Sequence, residues 1–419
     1  MKALRTVSLN FYLIFFLLSF LQTRSIDLRL IPVLKITLFC YSLTYIPQYL
    51  KSLNNSKGIY HVGNISLLLY ISYFILSIFS YLDYNKNIRF YIEGIILYIV
   101  PLCSFFWSVC IKEKEANLLY RKIEYALVIC CITGLYLYFM APSWYINWRL
   151  SSYADWVGID NAERIFLSYN NLSSVFTHPY FVAYTSVFLV SLYLNRLYKN
   201  QNIYINLILL IIVLVTIILA QQRVVIAFSI CLILIYSLQG IRKKILIFYV
   251  LITIIFSVIC FLFIHYSNEI QYLIERYNTI ITGDVFNDGR ANIAKHLLET
   301  DFNYVLGEGA NLVGHIAISF GKPCIADSEY LKFIYELGVV GTTIFYAFTS
   351  LTIYVAYKYK SYIELPVVIF FIIAMYGANP FEKDNIILLY WICSGRVWYN
   401  TRNYFKSNKY ENRICNITL

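Results

Sequence analysis

Ile203-Tyr-Ile-Asn-Leu-Ile-Leu-Leu-Ile-Ile-Val-Leu-Val-Thr-Ile-Ile-Leu-Ala220 contains no charged residue and is followed at once by Gln221-Gln222-Arg223. A run of this length and apolarity matches the roughly 17–25 residues that an α-helix needs to cross a bilayer. Similar runs occupy much of the chain: Val7–Leu21, Leu30–Ile46, Ile65–Leu82, Phe90–Ile111, Tyr125–Ala141, His178–Leu194, Val224–Leu238, Ile245–Ile264, Leu331–Tyr357, Tyr362–Ala378 and Ile386–Trp398. They are too continuous for the alternating strands of a barrel, and lipid leaves helices as the remaining way to satisfy the backbone. The expected fold is therefore an all-α polytopic integral membrane protein, one transmembrane domain over residues 1–419 with about twelve transmembrane helices.

Composition agrees. Of 419 residues, 60% are hydrophobic and 14% charged, and mean hydropathy is +0.63. A soluble domain carries about 25% charged residues. The net charge of +11 is spread in short clusters between apolar runs, which is a topology signal and excludes a basic nucleic-acid face. With the N-terminus inside and sides alternating, inner segments hold 20 of the 34 Lys and Arg, and outer segments hold 12. That places both termini in the cytoplasm. The basic, apolar start of the chain lacks a small-x-small cleavage site after Leu21 and reads as a retained first span. Eight of the ten cysteines lie in apolar runs, and no CxxC or His/Cys cluster has metal-ligand spacing. No P-loop, Rossmann glycine pattern or internal repeat occurs.

Two long outer loops remain, 142–177 and 265–330. The first carries Arg164 among Asp155, Asp160 and Glu163, and ends at Thr177-His178-Pro179. Arg164 either pairs with one of these acids or offers its planar donor fork to a phosphate. His178 is either an interfacial residue or a functional one. Arg223 sits in so short a hairpin that it lies at the membrane boundary, where it either snorkels or meets a phosphate. The second loop carries Arg276, Gly289-Arg290, Gly307-Glu308-Gly309, His315 and Asp327-Ser328-Glu329-Tyr330. Asp327 suits a helix N-cap, with Glu329 in the first turn. Glu336, inside the following apolar run, requires a partner or a wet cavity. Gly338 and Gly341 suit close helix packing.

In order and spacing these pieces resemble the O-antigen polymerase/ligase superfamily (Wzy-type polymerases and related ligases). Gln222-Arg223 resembles that family's Ser-Arg turn, with Gln in place of Ser. Gly289-Arg290 followed by Leu306-Gly307-Glu308-Gly309 resembles its Arg…Gly-x-Gly segment. Asp327-Ser328-Glu329-Tyr330-Leu331…Glu336-Leu337-Gly338-Val339-Val340-Gly341 resembles its His/Asp-Asn-x-x-Leu…Glu-x-Gly-x-x-Gly end. Arg164 and the Pro-bearing helix start at Pro179 resemble its earlier loop. The likeness covers the chain from about Arg164 to Gly341. Ligases have His where this chain has Asp327, and Ser328 replaces Asn, which favours the polymerase.

The resemblance implies a GT-C-like architecture with two periplasmic loops in the bacterial inner membrane. It implies a glycosyltransferase that joins undecaprenyl-diphosphate-linked oligosaccharide repeat units. Arg290, Asp327 and Arg164 are then the expected catalytic residues. Arg223, Arg276, His178, His315 and Glu308 are expected to hold the diphosphate or glycan. No cofactor or metal is required, and the implied partners are the lipid-linked glycan, membrane lipid and a chain-length regulator protein. A ligase is the enzymatic alternative. A lipid-linked oligosaccharide flippase is the alternative of another class, although its expected repeats and mid-membrane polar helices are not evident here.

Overall fold

The computed structural model describes residues 37, 39–53, 58–80, 88–157, 172, 179–237, 302–309, 325, 328–378, 380–382 and 384–415. All regular structure among them is helical. In chain order the helices are α1 (Ile46–Leu53), α2 (Ile59–Ser80), α3 (Ile88–Cys110), α4 (Glu113–Met140), α5 (Ser143–Val157), α6 (Pro179–Tyr198), α7 (Ile203–Leu219), α8 (Arg223–Ser237), α9 (Glu329–Lys358), α10 (Glu364–Ala374) and α11 (Asp384–Cys415), with a 3₁₀ turn at Pro380–Glu382 before α11.

Among the described residues, three segments are long and apolar enough to cross a bilayer: Ile59–Ser77, Glu113–Met140 and Glu329–Lys358. Shorter apolar helices are Leu97–Cys110, Ile203–Leu219, Arg223–Ser237 and Glu364–Ala374. Helices of this kind suit a membrane protein. The expected spans Val7–Leu21 and Ile245–Ile264 lie outside the described residues, as do residues 30–36 and 38 of the expected span Leu30–Ile46. Within the expected first outer loop, 142–177, α5 occupies Ser143–Val157.

Aromatic side chains dominate the interior. Trp107, Trp391 and Trp398 are fully buried, and Tyr390 stacks on Phe371 at 4.0 Å with 20° between the rings. Phe381 packs against Tyr98, Phe333, Phe345 and Phe371. Such rings bury large areas and set interhelical distances. The most extensive packing pairs α11 with α3, α7 with α6, α9 with α2 and α10 with α11.

Antiparallel packing sorts the helix termini into two ends. At one end, Arg196 of α6 grips Glu124 of α4 through two bonds of 2.6 and 2.7 Å. There Tyr120 donates to the Glu364 carboxylate at 2.9 Å, and Tyr236 to the Tyr362 carbonyl at 2.9 Å. Arg396 caps the Ser108 and Ile111 carbonyls at the end of α3. At the other end lie the start of α6, the α7–α8 hairpin, the start of α9 and the end of α10. Tyr184 and Phe228 both meet Phe370 there, and Tyr330 stacks on Tyr376. These are called the Glu364 end and the Glu329 end.

Candidate functional site

The Glu329 end is organised around a break in α9. Gly338 has φ 64° and ψ −177°, inside what is otherwise a thirty-residue helix. That backbone region is essentially restricted to glycine. The expectation that Gly338 serves close helix packing is therefore corrected: it opens the helix. Gly341 does serve packing, since a Cβ there would meet the Tyr73 ring of α2.

Residues 302–309 fill the break. The Glu308 amide donates to the Tyr335 carbonyl at 2.8 Å and the Gly309 amide to Glu336 at 2.9 Å. In return the Val339 amide donates to Tyr304 at 2.8 Å and the Val340 amide to Val305 at 3.2 Å. The Tyr73 hydroxyl reaches both the Leu306 and Leu337 carbonyls, each at 2.9 Å. A helix interruption leaves backbone groups unpaired unless another segment supplies partners. Here the loop supplies nearly all of them. The contact is so close that a Cβ on Gly307 would collide with the Glu336 carbonyl and the Gly338 amide, and one on Gly338 would collide with the Val305 carbonyl.

The loop also closes on itself. Asn303 Oδ1 accepts from the Val305 and Leu306 amides, and its carbonyl accepts from Gly307. Glu308 Oε1 accepts from the Asn303 amide at 2.9 Å. Phe302 anchors the start against Tyr304 and Tyr335. Gly307-Glu308-Gly309 and Glu336-Leu337-Gly338 thus form two halves of one backbone clamp, and one oxygen of Glu308 is committed to holding its own turn.

Next to the clamp lies a buried charged cluster. Glu329, Lys332 and Glu336 are at most 1% exposed. Lys332 Nζ is 3.7 Å from Glu329 Oε1 and 5.2 Å from the centre of the Tyr98 ring. Tyr98 donates to Glu336 Oε2 at 3.1 Å, and the Phe381 amide donates to Glu329 Oε2 at 3.2 Å. The Glu329 and Tyr330 amides donate to the Ala378 and Met375 carbonyls at the end of α10. Charges this deep persist only when paired and hydrogen-bonded. Glu336 thus has its partner in Tyr98, as a carboxylate in an apolar run requires. Glu329 does more than sit in a first turn: it ties α9 to the turn before α11. Nothing in the sequence marked Lys332 or Tyr98 as its companions.

The N-cap of α9 is Ser328. Its side chain accepts from the Leu331 amide at 3.4 Å, with Ser328 in an extended conformation. The cap expected at Asp327 thus falls one residue later. Arg223 opens α8 and is half-buried at the same end of the bundle. The Leu172 amide donates to the Leu219 carbonyl at 2.9 Å, so Leu172 is held four residues before Arg223. Of the expected site residues, Arg223 and Glu308 belong to this end. Arg164, His178, Arg276, Arg290, His315 and Asp327 lie outside the described residues. Among the described residues no group of three metal-ligating side chains gathers. No protein family, characterised protein or solved structure matches the chain.

Proposed function

We propose that this protein is a polymerase of lipid-diphosphate-linked oligosaccharide repeat units, acting at the outer face of a bacterial inner membrane. The observation that carries the reading is the contact of Gly307-Glu308-Gly309 with Glu336-Leu337-Gly338, two motif-bearing stretches, at the end of the bundle where Arg223 also lies. Segments far apart in sequence that resemble one family's motifs, and that fold to one end, support a shared site.

The chemistry follows from charge. In the transfer, the bond between the donor's anomeric carbon and the diphosphate oxygen breaks, and a hydroxyl oxygen of the acceptor sugar forms the new glycosidic bond. Negative charge develops on the departing diphosphate. Arginines fixed near the headgroup plane stabilise that charge through planar, bidentate donors, and Arg290, Arg164 and Arg223 take that role. Asp327 receives the proton released by the attacking hydroxyl. The donor's own diphosphate linkage supplies the driving force. Ser328 already caps α9, so the Asp327 carboxylate is not needed as the cap.

The test is the surface-glycan ladder of a strain lacking the gene. A polymerase leaves a single repeat unit on the anchor and no longer chains. Complete loss of glycan would replace this reading with a flippase or a ligase. In the complemented strain, Arg290→Ala should abolish long chains while the protein still accumulates. Normal chain length in that variant would remove Arg290 from the site.

A further inference from the structure

We infer that residues 302–309 are seated in the membrane, with the crest formed by Val305, Leu306, Val339 and Val340 facing the acyl chains of one leaflet. The loop that fills the α9 break is apolar on its exposed side: Val305 is 59% exposed, Leu306 55%, Val339 54% and Val340 38%. The patch continues onto α2, where Leu68, Leu69 and Leu76 are also exposed. In a water-soluble setting such a run would be an interaction surface.

Its depth follows from α9. The far end of that helix carries Tyr354, Tyr357, Lys358 and Tyr359, with Lys358 Nζ 5.8 Å from the ring centres of Tyr354 and Tyr359. Aromatic and basic residues of this kind mark a membrane–water boundary. Twenty residues separate Lys358 from Gly338, which at 1.5 Å per residue is about 30 Å, the thickness of the hydrocarbon core. The break therefore falls at the opposite boundary, and any tilt of α9 sets it deeper.

At the exposed crest, Val305 and Leu306, the backbone meets the condition that lipid imposes. Irregular chain is tolerated at membrane depth only when its polar groups are satisfied internally. Each amide from Val305 to Gly309 has an acceptor, and each carbonyl from Asn303 to Leu306 has a donor. A crest bathed in water has no need of this pairing. Tyr73 is the telling element: its single hydroxyl covers the Leu306 and Leu337 carbonyls on the side where α2 meets the crest. The occupant is lipid rather than a second copy of the chain, because the patch is continuous with the exposed face of a span-length helix and lies at the edge of the hydrocarbon core. The inference rests on the membrane reading of the composition and is independent of the polymerase reading.

The test uses the full chain in phosphatidylethanolamine–phosphatidylglycerol liposomes. A benzophenone amino acid is placed at Leu306 and, in separate variants, at Val305, at Ile205 on α7 as a lipid-facing reference and at Asn200 as a water-facing one. Illumination should give phospholipid adducts at 306 and 305 in yield comparable to 205, and none at 200. Absence of adducts at 306 and 305 while 205 reacts overturns the inference. A dimer-mass adduct at 306 overturns it in favour of a second copy. Hydroxyl-radical footprinting of the unsubstituted protein gives a reading that does not depend on the variants folding. Leu306 should oxidise as slowly as Leu68 and Leu69, and oxidation several times faster than theirs overturns the proposal.

Discussion

The two ends of the bundle solve one problem in different ways. At the Glu364 end, polar groups are held by side chains: Arg196 grips Glu124 with both nitrogens, Tyr120 covers Glu364, and Arg396 caps α3. At the Glu329 end, the decisive bonds run from backbone to backbone across the α9 break, and the side-chain cluster of Glu329, Lys332, Glu336 and Tyr98 lies beside them. A side-chain lock depends on charge and can be rebuilt with other residues. A backbone lock depends on how closely two chains approach, which only glycine permits here.

That contrast predicts its largest effect at Gly338. Gly338→Val forces a β-branched residue into a glycine-only conformation and a collision with the Val305 carbonyl, for a loss of about 3 kcal/mol or more. Thermal unfolding of the detergent-purified chain and its accumulation in membranes should both fall sharply. Gly58 is the control: it also has positive φ, at 61°, but a Cβ placed there would have no atom within 4 Å. Gly58→Ala should therefore cost only the left-handed penalty of about 1–2 kcal/mol. Equal losses at the two positions would show that the close contact contributes nothing.

The next effect tests the opposite end. Removing one partner of a buried pair costs about 3–5 kcal/mol, less where a side chain reaches solvent. Arg196 is 23% exposed and Glu124 6%, so Arg196→Ala should cost about 2–3 kcal/mol. The double variant Arg196→Met with Glu124→Leu should recover most of that loss in the same unfolding assay. If the double variant is no better than the single one, the Glu364 end is as irreplaceable as the clamp, and the contrast between the ends fails.

The smallest effect separates capping from chemistry at the start of α9. Ser328→Ala should cost about 0.5–1 kcal/mol, at the low end for an N-cap because its bond is long at 3.4 Å. Asp327→Asn should leave unfolding unchanged and, on the proposed function, shorten the glycan ladder. A stability loss at Asp327 larger than that at Ser328 would return the capping role to Asp327.

Much of the fold is legible in the sequence. Apolar runs such as Ile203–Ala220 and Leu331–Tyr357 become α7 and most of α9, because an apolar chain that must satisfy its own backbone has little choice but helix. Helix ends are less legible: α4 begins at Glu113, well before the expected Tyr125, since a charged amphipathic turn extends a helix without lengthening its apolar run. The site is legible only as motifs. Gly307 and Gly338 stand out as glycines near acids, but nothing local in either stretch indicates that each exists to admit the other. Lys332 reads as a residue at a span's edge, and its burial beside Glu329 and Tyr98 depends on α3 meeting the start of α9.

Sequence alone determined the class of molecule, the helical state of its apolar runs and the segregation of its polar segments. These follow from composition and period, which act locally and sum over many residues. Tertiary structure alone decided that α9 breaks at Gly338, that a loop some thirty residues upstream completes its hydrogen bonding, and that Ser328 rather than Asp327 caps the helix. Those outcomes turn on atoms brought within about 3 Å of each other across large sequence separations, where a single hydrogen bond or a missing Cβ decides between arrangements that local propensity leaves nearly equal.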